Sequence, residues 1–143
     1  MRESFDRAFE IVIGLEGRPT NDPDDPGGFT IWGLASRYNP EVHAGMTKEE
    51  AKKIYLSKYW TPTGCDVAPF PLDICLFDAK VNPQNHPKWD GNAMDELMVW
   101  NPQNWQEYLI IRMIRYSQCS KEKYREGHLN RILKLYSKIK EIK

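Results

Sequence analysis

A chain of 143 residues with 41% hydrophobic and 12% aromatic content is long enough for one domain with a sizeable core, and its composition excludes intrinsic disorder. Twenty Lys and Arg balance twenty Asp and Glu, so no global field draws the chain to nucleic acid or to a membrane surface. The longest apolar stretch, around Leu109–Ile114, is interrupted by Arg112, which excludes stable membrane insertion.

The start of the chain carries no secretory pattern, because Glu3 and Asp6 break any apolar leader. Synthesis in the cytoplasm without a signal peptide is expected. Cys65, Cys75 and Cys119 lack metal-binding spacing. An odd count without a leader points to reduced thiols, with Cys75 packed in the apolar run Leu72–Val81. A Cys65–Cys75 bridge has nothing in the sequence to support it.

Phe5, Phe9, Val12 and Ile13 recur at helical spacing, which predicts an amphipathic helix over 3–16. Glu16 continues that apolar stripe, whereas Glu10 lies off it. A carboxyl group on an apolar face needs a partner or a raised pKa. Glu16 is thus either a proton donor held neutral or one half of a helix-end pair with Arg18. Asn21-Asp22-Pro23-Asp24-Asp25-Pro26-Gly27-Gly28-Phe29-Thr30-Ile31-Trp32-Gly33 follows. Its prolines and glycines cannot continue a helix or fill a central strand; they build tight turns that display polar groups on a defined backbone. Trp32 has two open readings, core packing and stacking against a ligand.

Leu34 to Tyr38 is read as one short helix ended by Asn39-Pro40, and His43 as a loop residue. Thr47-Lys48-Glu49-Glu50 is a capping box that opens a helix through about Tyr59, with Ala51, Ile54 and Tyr55 on one side. Thr61–Gly64 ends it. Asp66–Pro71 is a linker, and Pro69 and Pro71 lead into a central buried helix bearing Leu72, Cys75, Leu76, Ala79 and Val81. Asp78 adjoins that face. Asn82–Gly91 reads as a loop, and Asn92 is a cap candidate for a short helix over 93–99. Asn101-Pro102 reads as N-cap and N1 of the next helix. That helix carries Trp105, Tyr108, Leu109, Ile111, Met113 and Ile114 and is broken at Ser117–Ser120. The last helix is predicted over about 121–142, its stripe formed by Leu129, Ile132, Leu133, Tyr136 and Ile139. Residues 121–143 hold eight Lys or Arg against three Glu, while residues 16–25 hold four acids and one Arg. The basic tail is either a solvated face or a surface for an anionic polymer. No repeat, low-complexity segment or phosphate-binding glycine loop is present.

Glu16-Gly17, then Asn21-Asp22-Pro23-Asp24-Asp25-Pro26-Gly27-Gly28-x-Thr30-x-x-Gly33-Leu34, resembles the signature of glycoside hydrolase family 108, the N-acetylmuramidases of phage endolysins and secretion-activator proteins. The likeness is strong to about residue 60. It continues more loosely through Lys52 to Tyr59 with Trp60, through Phe77-Asp78-Ala79-x-Val81-Asn82, and through Tyr124-x-x-Gly127-His128-Leu129-Asn130-Arg131. Three features depart from the pattern: Arg18 where a second Gly is usual, His128 where Trp is usual, and Pro83-Gln84-Asn85-His86-Pro87 after Asn82.

The resemblance implies a mainly α, lysozyme-like single domain over 1–143, with a small loop or β-hairpin lobe carrying the active site. Within it, residues 1–65 resemble the catalytic lobe and 66–143 the family's C-terminal peptidoglycan-binding region. The implied activity is cleavage of the β-1,4 bond between N-acetylmuramic acid and N-acetylglucosamine in peptidoglycan. Glycoside hydrolysis needs an acid for the departing oxygen and a group that directs water or a nucleophile. Glu16 is the acid candidate, with Asp25 and Thr30 as partners by analogy with phage-type lysozymes. Asp25 fits the signature better than Asp24, although either can cap its own turn. Asn21, Asp24, Trp32 and Asn82 are candidate substrate-binding residues, with the alternative of a structural polar contact for Asp78 and Asn82. A calcium loop over 21–25 is disfavoured by two prolines and the absence of a distal bidentate Glu. No metal or organic cofactor is implied. Action on the wall in the periplasm or beyond would need delivery by a holin or a secretion machine. The competing class is a non-catalytic wall-binding or virion structural module that kept the fold.

Overall fold

The computed structural model describes residues 2–15, 29–82, 101–119 and 121–142. Helix α1 spans Arg2–Leu15, and a two-stranded antiparallel hairpin follows, β1 Thr30–Ile31 and β2 Leu34–Ala35. Helix α2, Lys48–Ile54, passes directly into a π-helical segment, Tyr55–Trp60. Helices α3 (Leu72–Val81), α4 (Trp105–Cys119) and α5 (Glu122–Lys140) complete the described chain. The protein is therefore mainly α with one small hairpin. No helix among the described residues is long and apolar enough to cross a membrane.

The stripe of α1 lands where its spacing predicts: Phe5, Ala8, Phe9 and Val12 are buried. They meet an aromatic hub in which Phe77 of α3 lies 5.5–5.9 Å from the rings of Trp60, Tyr55 and Phe5, mostly edge-on. Such tilted pairs suit the ring quadrupoles and add to the burial of large apolar area. The π-helical segment supplies two members of this hub, Tyr55 and Trp60, both fully buried. Trp60 keeps its indole N–H satisfied by donating to Asp66 Oδ1 at 2.7 Å. Helix α3 is the central element, with every residue from Asp73 to Ala79 buried.

Thr47 caps α2 as predicted. Its hydroxyl accepts from the Glu50 amide at 3.2 Å, and Glu50 Oε2 accepts from the Thr47 amide at 3.0 Å. Cys65 and Cys75 are buried free thiols. Burial, with Asp73 and Asp66 nearby, pushes the Cys65 thiol up to about 12, and burial raises Cys75 as well, so both behave as packed, unreactive thiols.

Four expectations are corrected. Leu34 and Ala35 form strand β2, not a helix; Ser36 N–H donates to the Phe29 carbonyl at 2.8 Å and extends the ladder. The cap of α4 is Asn104, whose Oδ1 accepts from the Glu107 amide at 2.8 Å, whereas Asn101 has φ of +46° and lies outside the helix. On α5 the buried positions are Ile132, Leu135 and Ile139, while Leu133 is 57% exposed. On α4, Ile114 is partly exposed and two arginines, Arg112 and Arg115, are buried. The short helix expected over 93–99 lies outside the described residues.

Asp73 is buried at the first turn of α3, where Ser4 of α1 donates to its Oδ2 and the Ile74 amide donates to Oδ1. Burial outweighs these bonds and raises its carboxyl above the ordinary aspartate value. A raised folded pKa disfavours the ionised form in the fold. Its stabilising contribution is complete below the unfolded value and is lost as pH rises through the folded one. Asp73→Asn, whose amide can still meet the Ser4 hydroxyl, is expected to raise the melting temperature by a few degrees at neutral pH. Thermal scans should show the gap to wild type closing as the medium is acidified.

Candidate functional site

Thr30 is half-buried in β1 and pairs with Ala35 of β2; the next pair, Ile31 with Leu34, closes on a two-residue turn. The turn residues Trp32 and Gly33 have φ of +54° and +76°, the left-handed pattern whose twist matches a tight hairpin. Gly33 adopts it freely, but for Trp32 it costs about 1–3 kcal/mol. The surroundings hold that residue in place. The Tyr55 hydroxyl donates to the Trp32 carbonyl at 2.6 Å, and the Trp32 indole N–H donates to the Met46 carbonyl at 2.9 Å. Trp32 is thus half-buried against the core and its one polar atom is engaged.

The hairpin is fastened a second time behind β2. Asn39 is buried; its Nδ2 donates to the Ala35 carbonyl (3.3 Å) and to the Tyr59 hydroxyl (3.2 Å), and its Oδ1 accepts from Lys58 Nζ (3.3 Å). Lys58 also pairs with Glu41 at 2.8 Å, and that bond holds the Glu41 carboxyl below its ordinary value.

A second polar centre closes the far end of α3. Asp78, fully buried, sends Oδ2 to Arg112 Nη1 of α4 and Oδ1 to Arg131 Nη2 of α5, both at 2.8 Å. Burial alone would raise its pKa, but Arg131 and Arg112 outweigh that and hold the carboxyl below its ordinary value. Arg112 Nη2 donates to the Tyr116 hydroxyl at 3.0 Å, which in turn donates to the Asn82 carbonyl at 2.8 Å. Asn82 Nδ2 donates back to Tyr116 Oη at 3.2 Å. Asn82 caps α3 and sits in this network rather than beside the hairpin's anchors. His128 stacks on Tyr116 with ring centroids 4.6 Å apart. Burial, then Arg131 and Arg112, lower its pKa, so it is neutral at pH 7.

Of the residues singled out from the sequence, Thr30 and Trp32 share one hairpin, and Asn82 belongs to the Asp78 network. Glu16, Asn21, Asp24 and Asp25 lie outside the described residues. The structural polar contact read for Asp78 and Asn82 is what the network shows. Two features escaped the sequence reading. Tyr55 gave no sign that its hydroxyl reaches the turn. Arg112 did leave a signal, being a charge flanked by Ile110, Ile111, Met113 and Ile114, and a charge in an apolar run needs a buried partner.

A comparison with curated proteins and one with solved structures returned no match. Among protein families, the glycosyl hydrolase 108 profile matches residues 9–83. That stretch takes in the second half of α1, the hairpin, α2, the π-helical segment and α3, and it covers more than half of the 143 residues. On that match the chain belongs to the glycosyl hydrolase 108 family, and its chemistry is the hydrolysis of a glycosidic bond.

Proposed function

We propose that the protein is an N-acetylmuramidase that hydrolyses the β-1,4 bond between N-acetylmuramic acid and N-acetylglucosamine in peptidoglycan. The observation that carries the reading is the family match over residues 9–83, which spans every element of the Glu16, Asp24-Asp25 and Thr30 signature. In this mechanism Glu16 protonates the departing glycosidic oxygen. Asp25 and the Thr30 hydroxyl hold the water that attacks the anomeric carbon as the sugar takes on oxocarbenium character. Asn21, Asp24, Trp32 and Asn82 are proposed to contact the glycan strand. Asn82 has the weakest support of these, since its amide is already bonded to Tyr116. The basic segment 121–143 suits an anionic polymer. A holin or a secretion machine is the proposed partner for delivery to the wall.

The test is the identity of the new chain end. Purified peptidoglycan is digested, its reducing ends are converted to alditols with borohydride, and the product is hydrolysed to amino sugars. Muramitol is expected. Glucosaminitol as the dominant alditol would reassign the bond and leave the family chemistry intact.

A further inference from the structure

We infer that Tyr55 is a positioning residue for the hairpin that carries Thr30, a role that rests on the proposed use of Thr30 in catalysis. Tyr55 opens the π-helical segment Tyr55–Trp60. A π-helical turn is wider than an α-helical one and occurs frequently at functional sites. Here the segment reaches one short hairpin directly at its turn, and at β2 through Asn39. Tyr55 donates to the carbonyl of Trp32, two residues after Thr30. Tyr59 and Lys58 hold Asn39, whose amide donates to the carbonyl of Ala35, the residue paired with Thr30 across the ladder. Trp32, two residues on from Thr30, is therefore held by the segment directly, and Ala35, across the ladder from Thr30, is held by it through Asn39.

Tyr55 itself has no freedom to follow a moving hairpin. Its ring is fully buried and lies 5.6 Å from Phe9, 5.3 Å from Tyr59 and 5.8 Å from Phe77. A rigid hub thus holds the hydroxyl, and the hydroxyl holds a left-handed Trp32 with φ of +54°. With only two residues per strand, the ladder is marginally stable by itself, and these side-chain bonds hold it.

The experiment is a double-mutant cycle of Tyr55→Phe and Thr30→Ala, assayed on solubilised, uncross-linked glycan strands. Tyr55→Phe keeps the ring and removes only the hydroxyl. Alone it is expected to lower kcat about 10-fold with KM within about twofold, because misplaced catalytic groups cost rate rather than binding. In the Thr30→Ala background it is expected to change kcat by less than about twofold, since the group it positions is gone. An equal loss in both backgrounds, or no loss in either, would overturn the role. A wild-type rate in Thr30→Ala would instead sink the catalytic use of Thr30. A readout independent of activity separates the two failures. In protein labelled with 5-fluorotryptophan, the fluorine resonance of Trp32, assigned with Trp32→Phe, is expected to shift or broaden in Tyr55→Phe while the other four tryptophans hold their positions. An unmoved Trp32 resonance overturns the positioning role whatever the kinetics.

Discussion

Asp78→Asn should destabilise the fold by about 3–5 kcal/mol, the cost of removing one partner from a buried ion pair. Arg112 is 1% exposed and would keep its charge after losing the carboxylate 2.8 Å from its Nη1. Since a domain of this size is stable by about 5–15 kcal/mol, the loss is a large part of the whole. A surface pair offers the control: Lys52 and Asp6 meet at 2.8 Å but are 28% and 50% exposed, so Asp6→Asn should cost about 0–1 kcal/mol. Urea titrations followed by circular dichroism measure both. Acid unfolding provides a second reading. The lowered pKa of Asp78 contributes stability that is present above the ordinary aspartate value and lost as pH falls through the folded one. The variant should therefore lose less stability on acidification than wild type does. Because the three charges join α3 to α4 and α5, unfolding of wild type should be a single transition in which all three helices melt together.

This network also shows where sequence reading stops. Helix α1, the Thr47 capping box and the burial of α3 were all legible, because each follows from a local pattern: a 3–4 apolar spacing, a Thr with Glu three residues on, and a run of apolar residues. Leu133 and Leu135 both fit an apolar face of α5; tertiary packing chose Leu135, and periodicity could not. Asn101-Pro102 and Asn104 with Glu107 are both sound helix starts, and the second prevailed because Glu107 sits where its amide meets Asn104. The strand at Leu34-Ala35 was missed because its turn uses Trp-Gly where Asn-Gly or Asp-Gly would announce a hairpin. Arg112 and Arg115 lie on the buried side of α4. A buried carboxylate 34 positions earlier, Asp78, draws Arg112 inward, and no local rule joins residues that far apart. For the candidate site the division is sharper. Thr30 was singled out from the signature and Trp32 as an aromatic of the same loop, but the Tyr55 bond that holds the hairpin they share was not legible. Glu16, Asn21, Asp24 and Asp25 rest on the signature and on the family match that contains it.

Glu16→Gln is expected to lower the rate of peptidoglycan clearance by about 10²–10⁴-fold, the range that a positioned general acid supplies. The amide matches the carboxyl group in size and can still accept a hydrogen bond from a sugar hydroxyl, but it cannot hand a proton to a leaving alkoxide. Binding should therefore survive while turnover does not, and the variant should pellet with insoluble wall as well as wild type does. Thr30→Ala should fall between the two, because Asp25 would still direct the water in its absence. Turbidity loss and pelleting, measured on the same three proteins, separate the enzyme from a wall-binding module of the same fold. A catalyst gives three different clearance rates with three similar pelleted fractions. A module that only binds gives no clearance in any of them, and then neither the carboxyl at position 16 nor the hydroxyl at position 30 has a proton or a water to manage.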